Sequence, residues 1–220
     1  MIKVILGGKD GRMGKKVLKH FSSDPEITFV DSFDKEDDLS KVNFSEADVY
    51  IDLTHPESVE KNISFFSGKK LACVIGTSGI NKERLNKISD IQKKNNNTII
   101  IAPNFSIGAC LMIKFSKIAS QYFKQGEIIE LHHDGKKDKP SGTALYTSDV
   151  SGIPKENIHS IRLNGLLAHQ AVIFGSEGET LTIRHDSSDR SCFMKGIDIA
   201  IKEANNIQNR LVMGLENILL

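Results

Sequence analysis

The chain holds 220 residues, in which 29 Lys and Arg stand against 28 Asp and Glu, a formal charge of +1 with the histidines neutral. That balance excludes nucleic acid and an anionic membrane surface as partners, because both call for a concentrated basic excess. Hydrophobic residues at 39% and charged residues at 26% describe a globular protein rather than a disordered one, and the length suits one large domain or two small ones.

From residue 1 to about 103, short apolar runs at 4–6, 27–30, 49–53, 71–75 and 98–102 read as strands buried on both faces. After the first run, Met13, Val17 and Phe21 recur at helical spacing, and Leu85, Ile88 and Ile91 mark a second helix over 82–94. Strands alternating with helices predict βαβ units and a mostly parallel sheet, whose ligands gather at the carboxyl ends of the strands. The pattern changes after Pro103-Asn104-Phe105. Ile107, Leu111, Phe115, Ile118 and Tyr122 predict a long helix, and strands at 127–133, 158–163, 171–175 and 179–184 predict a largely antiparallel sheet. Segments 197–204 and 211–220 read as helical. The expected organisation is an α/β dinucleotide-binding domain over 1–104, to which 199–220 return, and an α+β domain over 105–198 with a mixed, mainly antiparallel sheet.

The chain opens Met1-Ile2-Lys3-Val4-Ile5-Leu6 and turns at once into glycines, which leaves no room for a secretion signal. No window nears the roughly 20 apolar residues of a membrane span. Cys73, Cys110 and Cys192 are odd in number and far apart, so neither a disulfide framework nor a CxxC metal pair is expected. The expected location is cytoplasmic.

Gly7-Gly8-Lys9-Asp10-Gly11-Arg12-Met13-Gly14 lies between the first strand and the first helix. A tight turn, close approach to a pyrophosphate and helix–strand packing all call for glycine there, and the free helix amides then face the anion. Asp10 replaces the middle glycine of the usual pattern. Asp31 and Asp34 end the second strand, where an acid would accept from ribose hydroxyls, while Lys35 could pair with a 2′-phosphate. NADH and NADPH therefore both remain open, and residues 36–38 read as a solvated loop. Gly76-Thr77-Ser78-Gly79 and Ala102-Pro103-Asn104-Phe105 follow the fourth and fifth strands and would line the nicotinamide, with Asn104 placed to hold its carboxamide.

The densest chemistry runs from Glu130 to Thr143. His132 and His133 are adjacent at a strand end and point to opposite faces, so they differ in task. Histidine donates or accepts protons near neutral pH, and Lys136 adds a charge and a second acid. Pro140-Ser141-Gly142-Thr143 resembles a helix start, whose amides and hydroxyl can hold a carboxylate. An anionic substrate that needs protonation fits this set. His132, His133, Asp134 and Asp138 are also possible metal ligands, but neighbouring strand residues diverge and no HExxH or cysteine partner is present, so no metal is expected.

Over nearly its whole length the chain resembles the 4-hydroxy-tetrahydrodipicolinate reductase family, long called dihydrodipicolinate reductase. The likeness rests on Gly8-x-x-Gly11-Arg12-Met13-Gly14, Gly76-Thr77-Ser78-Gly79, Asn104-Phe105-Ser106-Ile107-Gly108 and Glu130-x-His132-His133-x-x-Lys136-x-Asp138-x-Pro140-Ser141-Gly142-Thr143-Ala144, followed by Ile158-His159-Ser160-Ile161-Arg162 and Arg184-His185-Asp186-Ser187. It implies a Rossmann-type N-terminal domain binding NADH or NADPH, and a second domain that binds a small dicarboxylate and builds a homotetramer. It further implies His132 and Lys136 as catalytic proton donors, and His133, Lys136, Ser141, Gly142 and Thr143 as substrate ligands. For the cofactor it implies Gly8, Lys9, Asp10, Gly11, Arg12 and Met13 at the pyrophosphate, Asp34 and Lys35 at the ribose, and Gly76, Thr77, Ser78, Ala102, Pro103, Asn104 and Phe105 at the nicotinamide. Lys139 stands where the family usually has alanine, and 144–158 is short. Another nicotinamide-dependent dehydrogenase of this architecture, or a non-catalytic NAD(P)-sensing protein, is the alternative.

Overall fold

The structure, a computed structural model, describes residues 1–77 and 80–219. In chain order the elements are β1 (Ile2–Gly7), α1 (Arg12–His20), β2 (Ile27–Phe33), β3 (Val49–Asp52), α2 (Pro56–Ser67), β4 (Ala72–Ile75), α3 (Lys82–Asn95) and β5 (Ile99–Ile101). They continue as α4 (Ile107–Ala119), β6 (Gln125–His132), α5 (Gly142–Ser151), β7 (Ile158–Arg162), β8 (Ala168–Ser176), β9 (Glu179–Ser187), α6 (Met194–Asn206), β10 (Leu211–Met213) and α7 (Glu216–Leu219). Two units result, one formed by Met1–Pro103 with Met194–Ile218 and the other centred on Asn104–Phe193.

The first unit is a six-stranded parallel sheet in the order β10-β5-β4-β3-β1-β2. Its strands read as unbroken apolar runs because both faces are covered. On one face Ile5, Tyr50, Cys73, Ile75, Ile99 and Ile101 pack with Val59, Ile63 and Phe66 of α2 and Ile88 of α3. The alternate residues Val4, Leu6, Val49, Ile51, Val74 and Ile100 are also buried and point to the other face. There α6 packs against β3, β4 and β5.

The helix α2 was not among the expected elements, although its signals are present: Pro56 at the first helical turn, then Val59, Ile63 and Phe66 at helical spacing. A second difference corrects the reading of 211–220 as helical. Leu211–Met213 form the edge strand β10, in register with Ile99–Ile101, and only Glu216–Leu219 are helical. Three apolar residues closed by Gly214 at φ +85° are too few for a helix. The open edge of β5 supplies a partner instead, with Ile99 N–H donating to the Arg210 carbonyl at 2.9 Å and Gly214 N–H to that of Ile101 at 2.8 Å.

The second unit is a four-stranded mixed sheet in the order β7-β6-β8-β9, parallel between β6 and β7 and antiparallel elsewhere. Helices α4 and α5 cover one face, where Met112, Ile113 and Ala144 pack with Ile128, Val172 and Phe174 of the sheet. Toward the end of β6 that inner face turns polar. Glu130 lies opposite Gln170, and Gln170 opposite His185, with Ser160 across from Glu130 on β7.

Phe33, Tyr50 and Phe66 stack in the first unit, Tyr50 and Phe66 with centroids 4.2 Å apart. The stack supports the carboxyl ends of β2 and β3 from below. Phe66→Ala should therefore lower the unfolding free energy by about 3–5 kcal/mol in urea denaturation, since fully buried neighbours surround it.

Candidate functional site

In the first unit the glycine loop is shaped by packing. Gly8 adopts φ +90°, and a Cβ there would stand 2.5 Å from the Leu53 carbonyl oxygen; at Gly14 a Cβ would collide with the Gly8 carbonyl oxygen. Gly11 caps α1 without a side chain, so Arg12 and Met13 begin the helix with their amides uncovered. This backbone fits a pyrophosphate.

The acids behind the loop divide their work. Asp31 accepts from the amides of Ser32 and Asn43 and so holds a neighbouring loop. Asp34 turns toward the glycine loop, accepting from the Asp10 amide at 3.0 Å and from that of Lys35 at 2.8 Å. Lys9 forms an ion pair with Asp37 at 2.6 Å, and Asp37 also accepts from the Asp34 amide. The hydrogen bond from Lys9 and the one from Asp34 lower the Asp37 carboxyl from its usual range. Residues 36–38 are thus not merely a solvated loop: Asp37 ties the glycine loop to the end of β2. Asp34 and Lys35 line a cleft with Thr54, His55, Ser58 and Lys61.

One buried group here escaped sequence reasoning. Asp52, at the end of β3, has no exposed surface. It accepts from the hydroxyls of Tyr50 at 2.6 Å, Thr54 at 2.7 Å and Thr77 at 2.7 Å, and from Asn62 at 3.2 Å. Burial, together with the Asp52 charge, raises the Tyr50 phenol well above its ordinary range. Thr77 therefore directs its hydroxyl inward, while Gly76 donates its amide to the Asp52 carbonyl at 2.9 Å. Ser78 lies outside the described residues. Ala102 is buried and Pro103 half-buried after β5.

In the second unit Asn104 joins two helix starts. Its side chain accepts from the Ser106 amide ahead of α4 and donates to the Thr143 hydroxyl of α5. Phe105 is buried beside it. Ser106 also meets His185 at 2.9 Å.

His132 ends β6 with its Nδ1 2.5 Å from Glu130 Oε2, and Glu130 is wholly buried. Arg162, facing them from β7, donates to both Glu130 oxygens at 2.9 and 2.8 Å. The same guanidinium donates to the carbonyls of Asp138 at 2.6 Å and Lys136 at 3.3 Å, and so fastens the loop that follows His132. Burial pushes the Glu130 carboxyl up, but hydrogen bonds from His132, Arg162 and Ser160 outweigh it and hold the group at about 2. Lys136 pairs with Asp138 at 2.8 Å. Burial likewise opposes ionisation of Asp138, and the Lys136 hydrogen bond overcomes it, leaving that carboxyl lowered.

A cis Lys139–Pro140 peptide leads into Ser141, which is buried, donates its amide to Glu130 Oε1 at 3.3 Å and caps α5 by accepting from the Ala144 amide. Gly142 and Thr143 open the helix, and a Cβ at Gly142 would meet nothing within 4 Å. Amides at a helix start of this kind are the donors an anion takes. His133 is half-buried at the start of the loop, and Lys139 is exposed. The structure thus brings His132, Lys136, Ser141, Gly142 and Thr143 to one loop and helix start, and adds Glu130 and Arg162 beneath them. No helix among the described residues is long and apolar enough to cross a membrane.

Two family models, described as dihydrodipicolinate reductase N-terminus and C-terminus, match residues 2–105 and 108–219. A 4-hydroxy-tetrahydrodipicolinate reductase of Coxiella burnetii is 42% identical across 99% of this chain and 99% of its own length. One from Bacillus cytotoxicus is 40% identical across 99% of this chain and 98% of its own. The solved dipicolinate-bound dihydrodipicolinate reductase of Paenisporosarcina sp. TG-14 superposes with a TM-score of 0.81 at 34% identity, covering 99% of each chain. With both halves of the sequence matched in order and relatives alike from end to end, this chain belongs to the dihydrodipicolinate reductase family.

Proposed function

We propose that the protein catalyses the NAD(P)H-dependent reduction of (2S,4S)-4-hydroxy-2,3,4,5-tetrahydrodipicolinate to tetrahydrodipicolinate, with loss of water, on the route to diaminopimelate and lysine. The observation that supports this reading is that His132, Lys136 and the start of α5 border the one loop that Arg162 fastens. A dicarboxylate that must gain a proton needs those three groups.

When bound, the nicotinamide cofactor supplies the hydride. His132 delivers the accompanying proton, with Lys136 as second donor once a substrate carboxylate draws it from Asp138. His133 and the amides of Gly142 and Thr143 hold the carboxylates, and Ser141 keeps that helix start in shape. The cradle of Gly8, Lys9, Asp10, Gly11, Arg12 and Met13 takes the pyrophosphate, while Gly76, Thr77, Ser78 and Ala102 to Phe105 take the nicotinamide end. At the adenosine end, Asp34 suits the hydroxyls of NADH, whereas Lys35 and Lys61 in the same cleft suit the 2′-phosphate of NADPH, so the protein accepts both.

The molecule works as a homotetramer. Helices occupy the inner face of the sheet, and the outer face presents Leu131 beside Ile161, which is 41% exposed. Cys73, Cys110 and Cys192 form no disulfide among the described residues, which suits a reducing cytoplasm.

A coupled assay in which dihydrodipicolinate synthase supplies the substrate, run with NADH and NADPH in parallel, tests the activity; no cofactor oxidation in either arm would refute it. His132→Gln should lower kcat about 100-fold while leaving NADH affinity unchanged, and near-normal turnover would remove His132 from its role. Lys136→Ala should raise KM for the dicarboxylate as well as slow turnover. Lys35→Ala should raise KM for NADPH roughly tenfold, the scale of one charge-assisted hydrogen bond, with KM for NADH unmoved. Light scattering should find a tetramer, and Ile161→Lys should dissociate it.

A further inference from the structure

Glu130 is wholly buried on the second unit's polar inner face, and along with Ser160 of β7 its hydrogen-bond partners are His132, Ser141 and Arg162. Its Oε2 takes His132 Nδ1 at 2.5 Å, its Oε1 takes the Ser141 amide at 3.3 Å, and the Arg162 fork spans both oxygens. The Arg162 side chain is 6% exposed and that of His132 14%, so solvent competes little for these bonds. Lys136 and Asp138 on the loop satisfy each other, and Gln170 of β8 binds Thr147 of α5 at 2.8 Å rather than Glu130.

This arrangement has a consequence for the proton. Glu130 sits far below neutrality in its titration, so it is an anion that only accepts. The hydrogen between it and the imidazole must therefore belong to Nδ1. A ring fixed in that way keeps its lone pair on Nε2 when neutral, and carries its exchangeable proton there when charged. Rotation of the ring is blocked at the same time, because the acceptor is locked by a bidentate pair that cannot swing.

We propose that Glu130, held by Arg162, is the positioning residue of His132: it fixes the Nδ1–H tautomer and aims Nε2 at the substrate. This rests on His132 being the proton donor. Glu130 touches neither substrate nor cofactor in this scheme and acts only through the imidazole.

Ring nitrogen-15 spectra of the free protein at alkaline pH, with His132 assigned by comparison with His132→Gln, should show Nδ1 protonated and Nε2 bare. An Nε2–H ring would overturn the proposal. That measurement needs no substrate, so a wild-type protein without reductase activity would sink the functional reading while leaving the tautomer question separately answered. In Glu130→Gln the amide can donate as well as accept, so the tautomer preference should weaken. Its kcat should fall about 10–100-fold, the usual effect of losing a group that orients a working histidine, with NADH affinity unchanged and KM for the dicarboxylate moved less than kcat. An unaltered kcat would equally overturn it. Should that variant fail to fold, the wild-type ring spectrum decides the matter alone.

Discussion

A carboxylate with no water around it governs the second unit. Burying an ion without compensation costs several kcal/mol, and Glu130 has zero exposure. The compensation comes from Arg162 on β7, His132 on its own strand and the amide of Ser141 ahead of α5. Each partner is thereby placed by the need to satisfy the anion. Arg162 has donors left over, and these reach the carbonyls of Lys136 and Asp138. The loop that follows His132 is pinned at its middle by Arg162 and at its end by Ser141, both through one buried side chain.

The first unit meets the same constraint with neutral donors. Asp52 ends a strand covered on both faces, so its carboxyl group has nowhere to find water. Hydroxyls of Tyr50, Thr54 and Thr77 and the amide of Asn62 supply the hydrogen bonds instead. Those four residues come from β3, the turn after it, α2 and the segment after β4. Satisfying one acid thus ties the ends of β3 and β4 to α2, and the turn after β3 borders the glycine loop: Leu53 donates its amide to the Gly7 carbonyl and stands close against Gly8.

What could be read from sequence alone follows from how local each feature is. Strands β1 to β5 were legible as apolar runs, and the glycine loop and the His132 to Thr143 run were legible because their residues are consecutive. Ser141 was legible as a helix start for the same reason. Arg162 was not, because it lies 32 residues from Glu130 and nothing in its own neighbourhood says which anion it faces. Asp37 looked like part of a solvated loop because its partner Lys9 is 28 positions away. Asp31 and Asp34 were equivalent on paper and were separated only by which loop each strand residue faces. The strand β10 was misread because a three-residue strand has no period of its own; pairing with β5 decides it.

The charge balance takes on a different meaning once these pairs are known. His132, His133, Lys136, Lys137 and Lys139 crowd one strand end and look like a strongly basic pocket. In the folded chain Arg162 cancels Glu130, and Lys136 is matched by Asp138 at 2.8 Å. The field that remains comes from exposed Lys137 and Lys139 and from the opening amides of α5. Exposed lysines act at a distance and are screened by salt, whereas the amides act only on contact. In the proposed reaction a dicarboxylate would be drawn in by the first and oriented by the second. On the same proposal the Lys136–Asp138 pair would stand between these two stages, since a carboxylate on the helix amides would compete with Asp138 for the lysine. Local charges that mostly cancel one another are what a site selective for a small dianion, rather than a general anion binder, would require.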